Sequence, residues 1–326
     1  MKTRFYIYAL LMMVTLSSCE RMPLYDLGQK AVYLALNLKL ELDLDIDLSV
    51  DVDVEIERTI EKPDHNKVLF YSLADGLLRH TEFVEGEGGY INTPPGTYRM
   101  VIYSFGTEYI QIRGEGDINT LEAFTSDITA TKMTTLQKFT RAGDEEPQGP
   151  IIYAPDHLLV AEEDVTIPEV IDADQTLTIS ATARTIVETY SFEVHSVIGA
   201  SYIESCEAFV TNQARSCFFG RGEVSQQPAT ISFPVGVDRK KGCLYTTFNT
   251  FGKLPGESRS FLHILIRDTE GQEYQFSEDI TDQFENPENH IVIEEPIDIP
   301  QPEENAGGIA PTVDPWEEEQ HDVPIG

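Results

Sequence analysis

Positive charge is scarce in this sequence. It has 23 lysine and arginine residues against 56 aspartate and glutamate residues, so the formal net charge is −33, and neither basic residue occurs after Arg267. A surface this acidic repels the phosphate backbone of nucleic acid and the headgroups of anionic lipids. We therefore expect no nucleic-acid partner.

Cysteine is also rare, and its spacing matches no metal site. Apart from Cys19 there are three cysteines, Cys206, Cys217 and Cys243. The absence of a C-x-x-C pair and of a nearby histidine pair argues against structural zinc. Cys206 and Cys217 are spaced so that they could form a disulfide across a hairpin in an oxidising compartment, and three buried thiols are an equally good interpretation.

Recognisable catalytic motifs are missing. There is no G-x-S-x-G elbow, no H-E-x-x-H helix and no P-loop, and the G-x-G spacings fall in acidic loops. The seven histidines are scattered along the chain, and the carboxylates are too numerous for a glycosidase pair to be chosen from sequence. We predict no catalytic residue, no cofactor and no enzymatic activity.

Long apolar runs are absent after the N-terminus, where no stretch approaches the roughly 20 residues of a transmembrane helix. At the N-terminus, Lys2 and Arg4 precede an apolar segment that ends in Leu16-Ser17-Ser18-Cys19. This layout predicts a signal peptide over residues 1–18. The last four residues resemble the lipobox of bacterial lipoproteins, which implies acyl chains on Cys19, a lipidated tether over residues 19–30 and attachment to a membrane through that lipid. An ordinary secretory signal is the alternative.

The most regular feature that is present is an alternating run over residues 32–56. Every even-numbered residue is apolar, and the odd-numbered residues become acidic from Glu41 onward. A period of two predicts a β-strand with one buried face. A continuous strand of this length would span about 80 Å, several times the usual length. We expect the run either to fold within its own domain, bending near Ser49, or to complete the sheet of a neighbour.

The acidic face of this run has two interpretations. Like charges along a strand discourage unwanted edge pairing. Carboxylates that recur every ~6.6 Å could also contribute to a weak divalent-cation site with ligands from elsewhere. The run is not an EF-hand, because Leu48 and Val54 occupy the positions of its glycine and bidentate glutamate. The candidate cation ligands are Asp43, Asp45, Asp47, Asp51 and Asp53.

Short alternating segments separated by turn residues continue along the chain, without sustained helical periodicity. This pattern predicts an all-β protein of two tandem β-sandwich domains. The polar segment around 142–150 carries no core residues, so we predict a linker there, an N-terminal domain over 31–141 and a C-terminal domain over 151–300. Residues 301–326 are predicted to form an acidic tail rich in proline and glycine.

Several segments resemble the fimbrillin-like lipoproteins of Bacteroidales. They are the lipobox, the opening strand, the loop and strand over 94–103, and the two β domains joined by a polar linker. Within that group the chain is most similar to an uncharacterised family of cell-envelope lipoproteins. The resemblance implies two transthyretin-like or immunoglobulin-like sandwiches and a role as a fimbrial subunit, fimbrial anchor or adhesin at the outer membrane.

The resemblance also bears on assembly. Polymerising fimbrillins are cut after an arginine in the first domain, which frees a groove for a donor strand from a neighbour. Arg58 and Arg141 lie in suitable regions but match no cleavage motif. The sequence therefore favours an anchor or accessory subunit that keeps its first strand and assembles with other fimbrial subunits.

The second interpretation is a surface module that binds glycans or a host protein. Sugar rings stack on exposed aromatic side chains, and most aromatics at strand spacing are expected in the core. The segment 19–23 lacks the acidic run that favours surface export in such bacteria, so the lipid-anchored protein is expected at either the cell surface or the periplasmic face. The candidate stacking residues are Tyr90, Tyr98, Tyr103, Tyr109, Tyr202 and Trp316.

Overall fold

The computed structural model describes residues 30–41, 59–128, 149–169, 176–254, 256, 258–285 and 289–301. These ranges contain strands and short 3-10 turns at Ile118–Thr120, Ala200–Tyr202 and Thr281–Glu285, and no helix in them is long and apolar enough to cross a membrane. The predicted all-β class, built from β-sandwich domains, is confirmed. In chain order the strands are β1 (Lys30–Leu38), β2 (His65–Ser72), β3 (Leu78–Glu85), β4 (Gly88–Thr93), β5 (Gly96–Phe105), β6 (Ile110–Arg113), β7 (Glu122–Thr125), β8 (Ile151–Tyr153), β9 (Leu159–Ile167), β10 (Leu177–Thr185), β11 (Glu188–Val194), β12 (Val197–Ile198), β13 (Ile203–Ala214), β14 (Ser216–Phe218), β15 (Glu223–Val224), β16 (Pro228–Pro234), β17 (Gly236–Asp238), β18 (Cys243–Thr250), β19 (Phe261–Asp268), β20 (Glu273–Asp279), β21 (His290–Ile293) and β22 (Ile297–Asp298).

The first body is a ring of seven strands that closes in the order β1-β10-β9-β5-β2-β3-β4. Its two walls face each other across an apolar interior that includes Leu34, Phe70 and Met100, all fully buried. Closure brings β4 so near β1 that a Cβ on Gly88 would lie 2.0 Å from the carbonyl oxygen of Leu34, and Gly88 has φ +108°. Glycine is required there because other residues are strained at this φ and would overlap the neighbouring backbone.

Strand β1 begins the predicted alternating run. Val32, Leu34 and Leu36 point into the ring and are buried, which confirms one buried face for this part of the run. Glu41 then forms an antiparallel bridge with Thr59, and the Ile60 amide donates to the Leu40 carbonyl at 2.7 Å. The chain has therefore returned to the end of β1 by Thr59, and the bend expected near Ser49 lies outside the described residues.

The second body is a two-layer sandwich. A five-stranded sheet in the order β20-β19-β13-β16-β8 faces a four-stranded sheet in the order β17-β18-β11-β21. Alternate residues from both sheets, including Phe192, Ile231, Phe248 and Ile264, meet in one core. The short parallel pair of β12 and β22 lies beside this sandwich.

A third sheet joins the two bodies. Its order is β15-β14-β7-β6, so two of its strands come from each half of the chain. It covers the outer side of β2 and β5, where Leu69 and Tyr103 pack with Ala123, Cys217 and Phe219. The two bodies consequently share a hydrophobic core.

Strand pairing differs from the division expected at 142–150. β9 pairs with β5, and β10 pairs with both β1 and β9, so residues 159–185 complete the first ring although sequence assigned them to the second domain. An alternating segment has the same pattern whichever sheet it joins. The composition of residues 142–150 predicted a long connection, but it did not show whether β9 and β10 join the first ring or the second sandwich.

The suggested disulfide between Cys206 and Cys217 is not formed. Cys206, Cys217 and Cys243 are free and buried, in agreement with the alternative of three buried thiols. Cys206 belongs to the core of the second sandwich and Cys217 to the core under the joining sheet. Burial raises the pKa of the Cys206 thiol to about 12, with a smaller contribution from Glu207, and raises the pKa of Cys217 to about 11.

Candidate functional site

Strand β1 occupies a groove between β4 and β10, and this groove is the principal candidate site. On one side β1 pairs antiparallel with β4 from Lys30–Thr93 to Ala35–Gly88, and on the other side it pairs in parallel with β10 from Val32–Leu177 to Leu38–Ala183. The ring would be open along its whole length without this strand. The groove can therefore hold one strand, and this chain fills it with its own.

The two ends of the ring differ. β1 starts at Lys30 beside Thr93, and the same end carries Gly96 and Ile167, which pair with each other. We call this end the tether pole, because the chain from Cys19 enters there. The opposite end, where Leu38, Phe105 and Thr185 lie, faces the start of the second sandwich, and we call it the cavity pole.

The cavity pole borders a cavity of about 800 Å³. Polar side chains connect the two bodies across it. Asn249 donates to the Pro155 carbonyl at 3.0 Å and accepts from the Thr189 hydroxyl at 2.8 Å. The Nδ1 atom of His157 lies 3.2 Å from the hydroxyl oxygen of Thr185.

His157 is a partly buried, hydrogen-bonded residue of this connection. Burial lowers its pKa, and the charge of the neighbouring Asp156 opposes that shift. The imidazole joins the loop before β9 to the end of β10. This arrangement stabilises the junction and gives no reason to assign catalysis to His157.

A cluster on the second sandwich has the residue types of a catalytic triad. His290 Nδ1 lies 2.6 Å from Ser191 Oγ, and its Nε2 lies 3.1 Å from Glu193 Oε1, which is also 3.0 Å from Nε2 of His195. Ser191 and Glu193 are each only 1% exposed. A carbonyl substrate cannot reach a hydroxyl buried in this way, so the cluster is structural. Sequence reasoning missed it because His290 is nearly 100 residues from its partners.

A second groove, of about 560 Å³, lies on the outer face of the five-stranded sheet. The rings of Tyr109 and Tyr153 stack along its side with centroids 5.3 Å apart. Across the groove Arg267 pairs with Glu273 at 3.0 Å, and Ser232 donates to Glu207 at 2.6 Å. The groove combines an aromatic side with charged groups that are held in place.

The sheet edges differ in their availability to a partner. The edge strand β21 is capped by Gln283, whose side chain accepts from the Val292 amide at 2.7 Å and donates to its carbonyl at 3.2 Å. β20, at the end of the five-stranded sheet, is the longest edge strand in the described ranges. Its outer edge pairs with no described strand, and ion pairs to Arg259 and Arg267 hold its terminal carboxylates.

The aromatic residues suggested for sugar stacking fall into two groups. Tyr98 and Tyr103 are buried in the ring and under the joining sheet, whereas Tyr90 and Tyr109 are exposed. Tyr202 is partly buried, and Trp316 lies outside the described residues. Three further exposed aromatics, Tyr33, Phe83 and Phe105, were missed. For Tyr33 on β1 a signal was available, because it occupies an odd-numbered position and the even-numbered residues of that strand are apolar and face the core.

The remaining predicted site residues lie outside the described ranges. They are the lipidation residue Cys19, the proposed cleavage positions Arg58 and Arg141, and the candidate cation ligands Asp43, Asp45, Asp47, Asp51 and Asp53. These assignments stay predictions.

The fold and the filled groove define an all-β protein of two sandwiches joined by a shared sheet. Residues 43–234, more than half of the chain, match the model of the Domain of unknown function (DUF5119) family. The chain belongs to this family.

Comparison with individual proteins gives two further similarities. The chain is 26% identical over 193 residues to a candidate fimbrium anchoring subunit, Fim4B, of Bacteroides ovatus, a match that spans 58% of this chain and about half, 53%, of that relative. A crystal structure of a candidate adhesin from Bacteroides ovatus has a TM-score of 0.58 at 21% identity and covers 88% of this chain and 98% of its own.

The fimbrial anchor protein Mfa2 from Porphyromonas gingivalis is a more distant structural neighbour. It has a TM-score of 0.43 at 14% identity over 78% of this chain and 83% of its own. The predicted resemblance to the fimbrillin-like proteins of Bacteroidales is confirmed by the similarity to the candidate fimbrium anchoring subunit. The relatives belong to non-enzymatic families, in agreement with the prediction that the chain is not an enzyme.

Proposed function

We propose that this chain is a lipid-anchored fimbrial accessory or anchor subunit of the outer membrane, which joins other fimbrial subunits by β-strand pairing. Its similarity to a candidate fimbrium anchoring subunit supports the fimbrial role. The observation that carries the proposal is the position of β1, which is hydrogen-bonded on both sides within the ring. A subunit whose groove is already filled cannot accept a donor strand there, so growth of a filament ends at this subunit.

The place of a partner strand follows from the sheet edges. The ring is closed and offers no edge, while β20 presents seven residues along an unpaired side. A strand added to such an edge gains backbone hydrogen bonds, and its alternate side chains give specificity. We assign the contact with the neighbouring subunit to β20.

Attachment to the membrane is assigned to Cys19. Several acyl chains on one cysteine hold a protein stably, because each buried CH₂ contributes about 0.8 kcal/mol. The location proposed is the outer membrane, at the cell surface or the periplasmic face.

The experiment that tests this function replaces Cys19 by alanine in the native bacterium. Fimbriae are expected to form and to be released into the medium, because the subunit still pairs with its partner but no longer holds a lipid. Cys243→Ala is the matched control, since it removes a thiol that is buried and takes no part in anchoring. Fimbriae that stay attached to cells in the Cys19→Ala strain would contradict the proposal.

A further inference from the structure

On one wall of the ring the charged outward side chains are confined to the border, where the Lys67 ammonium also lies 5.8 Å from the centre of the Phe83 ring. β10, β1, β4 and β3 are consecutive in the ring, and the joining sheet covers β2 and β5 and reaches only Leu78 at the start of β3. Their inward residues, such as Val32, Ile91 and Ala181, belong to the core, so the alternate residues face outward. The outward residues between the strand ends are Ala31, Tyr33, Ala35, Asn37, Thr81, Phe83, Tyr90, Asn92, Thr178, Ser180 and Thr182.

We propose that this surface, the neutral wall, is a binding site for an uncharged glycan. Aromatic rings of the wall would stack on sugar rings, and the hydroxyl and amide groups around them would bond sugar hydroxyls. The proposal is independent of the fimbrial role. It rests on the charge, the exposed aromatics and the strand spacing of the wall.

Charge is the first argument. The charged outward residues of these four strands, Arg79, Glu85 and Arg184, lie at strand ends, at the border of the wall. The chain as a whole carries a formal charge of −33, so such a surface does not arise from average composition. A basic partner would find no carboxylates in its centre, and a second copy of this acidic chain would be repelled by the rest of the molecule. A neutral ligand rich in hydroxyl groups needs no carboxylates for binding and is not repelled by the acidic remainder of the molecule.

The aromatic side chains are the second argument. Tyr90 is 69% exposed and Phe83 is 56% exposed. Tyr33 packs edge-on against Tyr90 with centroids 5.1 Å apart and fixes the orientation of its ring. At the border of the wall Phe105 packs edge-on against Phe83 with centroids 6.2 Å apart. Large aromatics held rigid and exposed in one patch are typical of binding surfaces.

The geometry of the sheet gives the third argument. Tyr33 on β1 and Tyr90 on β4 are directly opposite in register, and β3 follows β4 in the ring. Paired strands lie about 4.8 Å apart, so β1 and β3 are about 10 Å apart at the hairpin where Gly88 pairs with Glu85. That distance is close to the length of a disaccharide. Thr178 and Ser180, opposite Tyr33 and Ala35 on the other side of β1, extend the surface with hydroxyl groups.

Binding is measured with the chain from residue 20 onward, which lacks the lipid, on an array of neutral oligosaccharides and on cellulose, mannan and starch as sedimenting polysaccharides. We expect retention of the wild-type protein by at least one of these glycans. Tyr90→Ala and Phe83→Ala should each weaken that binding roughly three- to tenfold, because one aromatic contact is removed. Ser180→Glu should weaken it as well, because it places a charge in the wall and removes no ring.

Ile198→Ala is the matched control. Ile198 is 58% exposed on β12, outside the ring, and its replacement should leave glycan binding unchanged. Circular dichroism and a thermal melt show that each variant is folded, so a loss of binding is not a loss of structure.

Several outcomes overturn the proposal. One is the absence of binding to every neutral glycan at millimolar concentration. Another is binding that Tyr90→Ala, Phe83→Ala and Ser180→Glu all leave intact, or that is lost equally in Ile198→Ala. Sedimentation that shows a dimer abolished by Tyr90→Ala, or capture by lipid vesicles through the wall, assigns the surface to a different occupant and equally refutes a glycan site.

Discussion

Replacing Leu34 by alanine tests whether β1 is an integral part of the ring. Leu34 is fully buried, in the middle of a strand that pairs on both sides. Truncation of a buried leucine removes apolar contacts and leaves a cavity, which costs about 2–5 kcal/mol. Tyr33→Ala is the matched control, because Tyr33 is the next residue on the same strand and faces outward. It loses one edge-on ring contact, worth about 1 kcal/mol.

The assay is urea unfolding followed by circular dichroism, with the slope against urea compared between variants to verify that the same surface is exposed. Leu34→Ala is expected to lower the free energy of unfolding by at least about 1 kcal/mol more than Tyr33→Ala. Equal losses in the two variants would refute the reasoning, because they would mean that β1 is docked loosely and that the groove remains accessible to a donor strand.

Two further predictions follow from buried groups. Burial alone would raise the pKa of Glu122, but hydrogen bonds from Arg113 and Ser216 outweigh burial and lower this pKa. The ionised Glu122 therefore stabilises the fold above about pH 4.5, and this stabilisation is lost as the pH falls through the lower pKa of the folded state. Glu122→Gln is therefore expected to be less stable than wild type by about 1–2 kcal/mol at pH 7, with a difference that shrinks below pH 4.5, and a difference independent of pH in urea titrations would contradict this origin. In the chain from residue 20 onward, three thiols should react with a disulfide reagent, slowly in the folded protein and rapidly in urea. The reason is that burial raises the pKa of each thiol and so suppresses the reactive thiolate. Only one reactive thiol in urea without reductant would show that a disulfide forms.

Local pattern was enough to predict β1 and the face that it buries. Val32, Leu34 and Leu36 follow the alternation because one face of β1 meets the ring interior. Pairing between distant segments could not be obtained in the same way. The parallel pairing of β1 with β10 joins residues about 145 positions apart, and neither segment has a sequence feature that indicates which strand it pairs with.

The candidate surfaces show the same limit. Tyr90 was recognised as a stacking residue by type, but Tyr98 was suggested on equal grounds and is buried, because the two differ only in which side of a strand they occupy. The neutral wall is assembled from four strands, and its lack of charge becomes visible only when their outward faces are placed side by side. The alternating pattern of β1 predicted the outward face of only one of these four strands.

The direction of β1 relates the two proposals to each other. Lys30 is the eleventh residue after Cys19, so with a lipid on Cys19 the tether pole stays within about 40 Å of the membrane. The neutral wall begins at that pole, and a glycan bound there would belong to the layer next to the membrane. β20 lies in the second sandwich, beyond the cavity pole, where a fimbrial partner would be held away from that layer. The two surfaces are therefore separable: Tyr90→Ala should weaken glycan binding roughly three- to tenfold and leave fimbriae attached, whereas Cys19→Ala should release fimbriae and leave glycan binding unchanged.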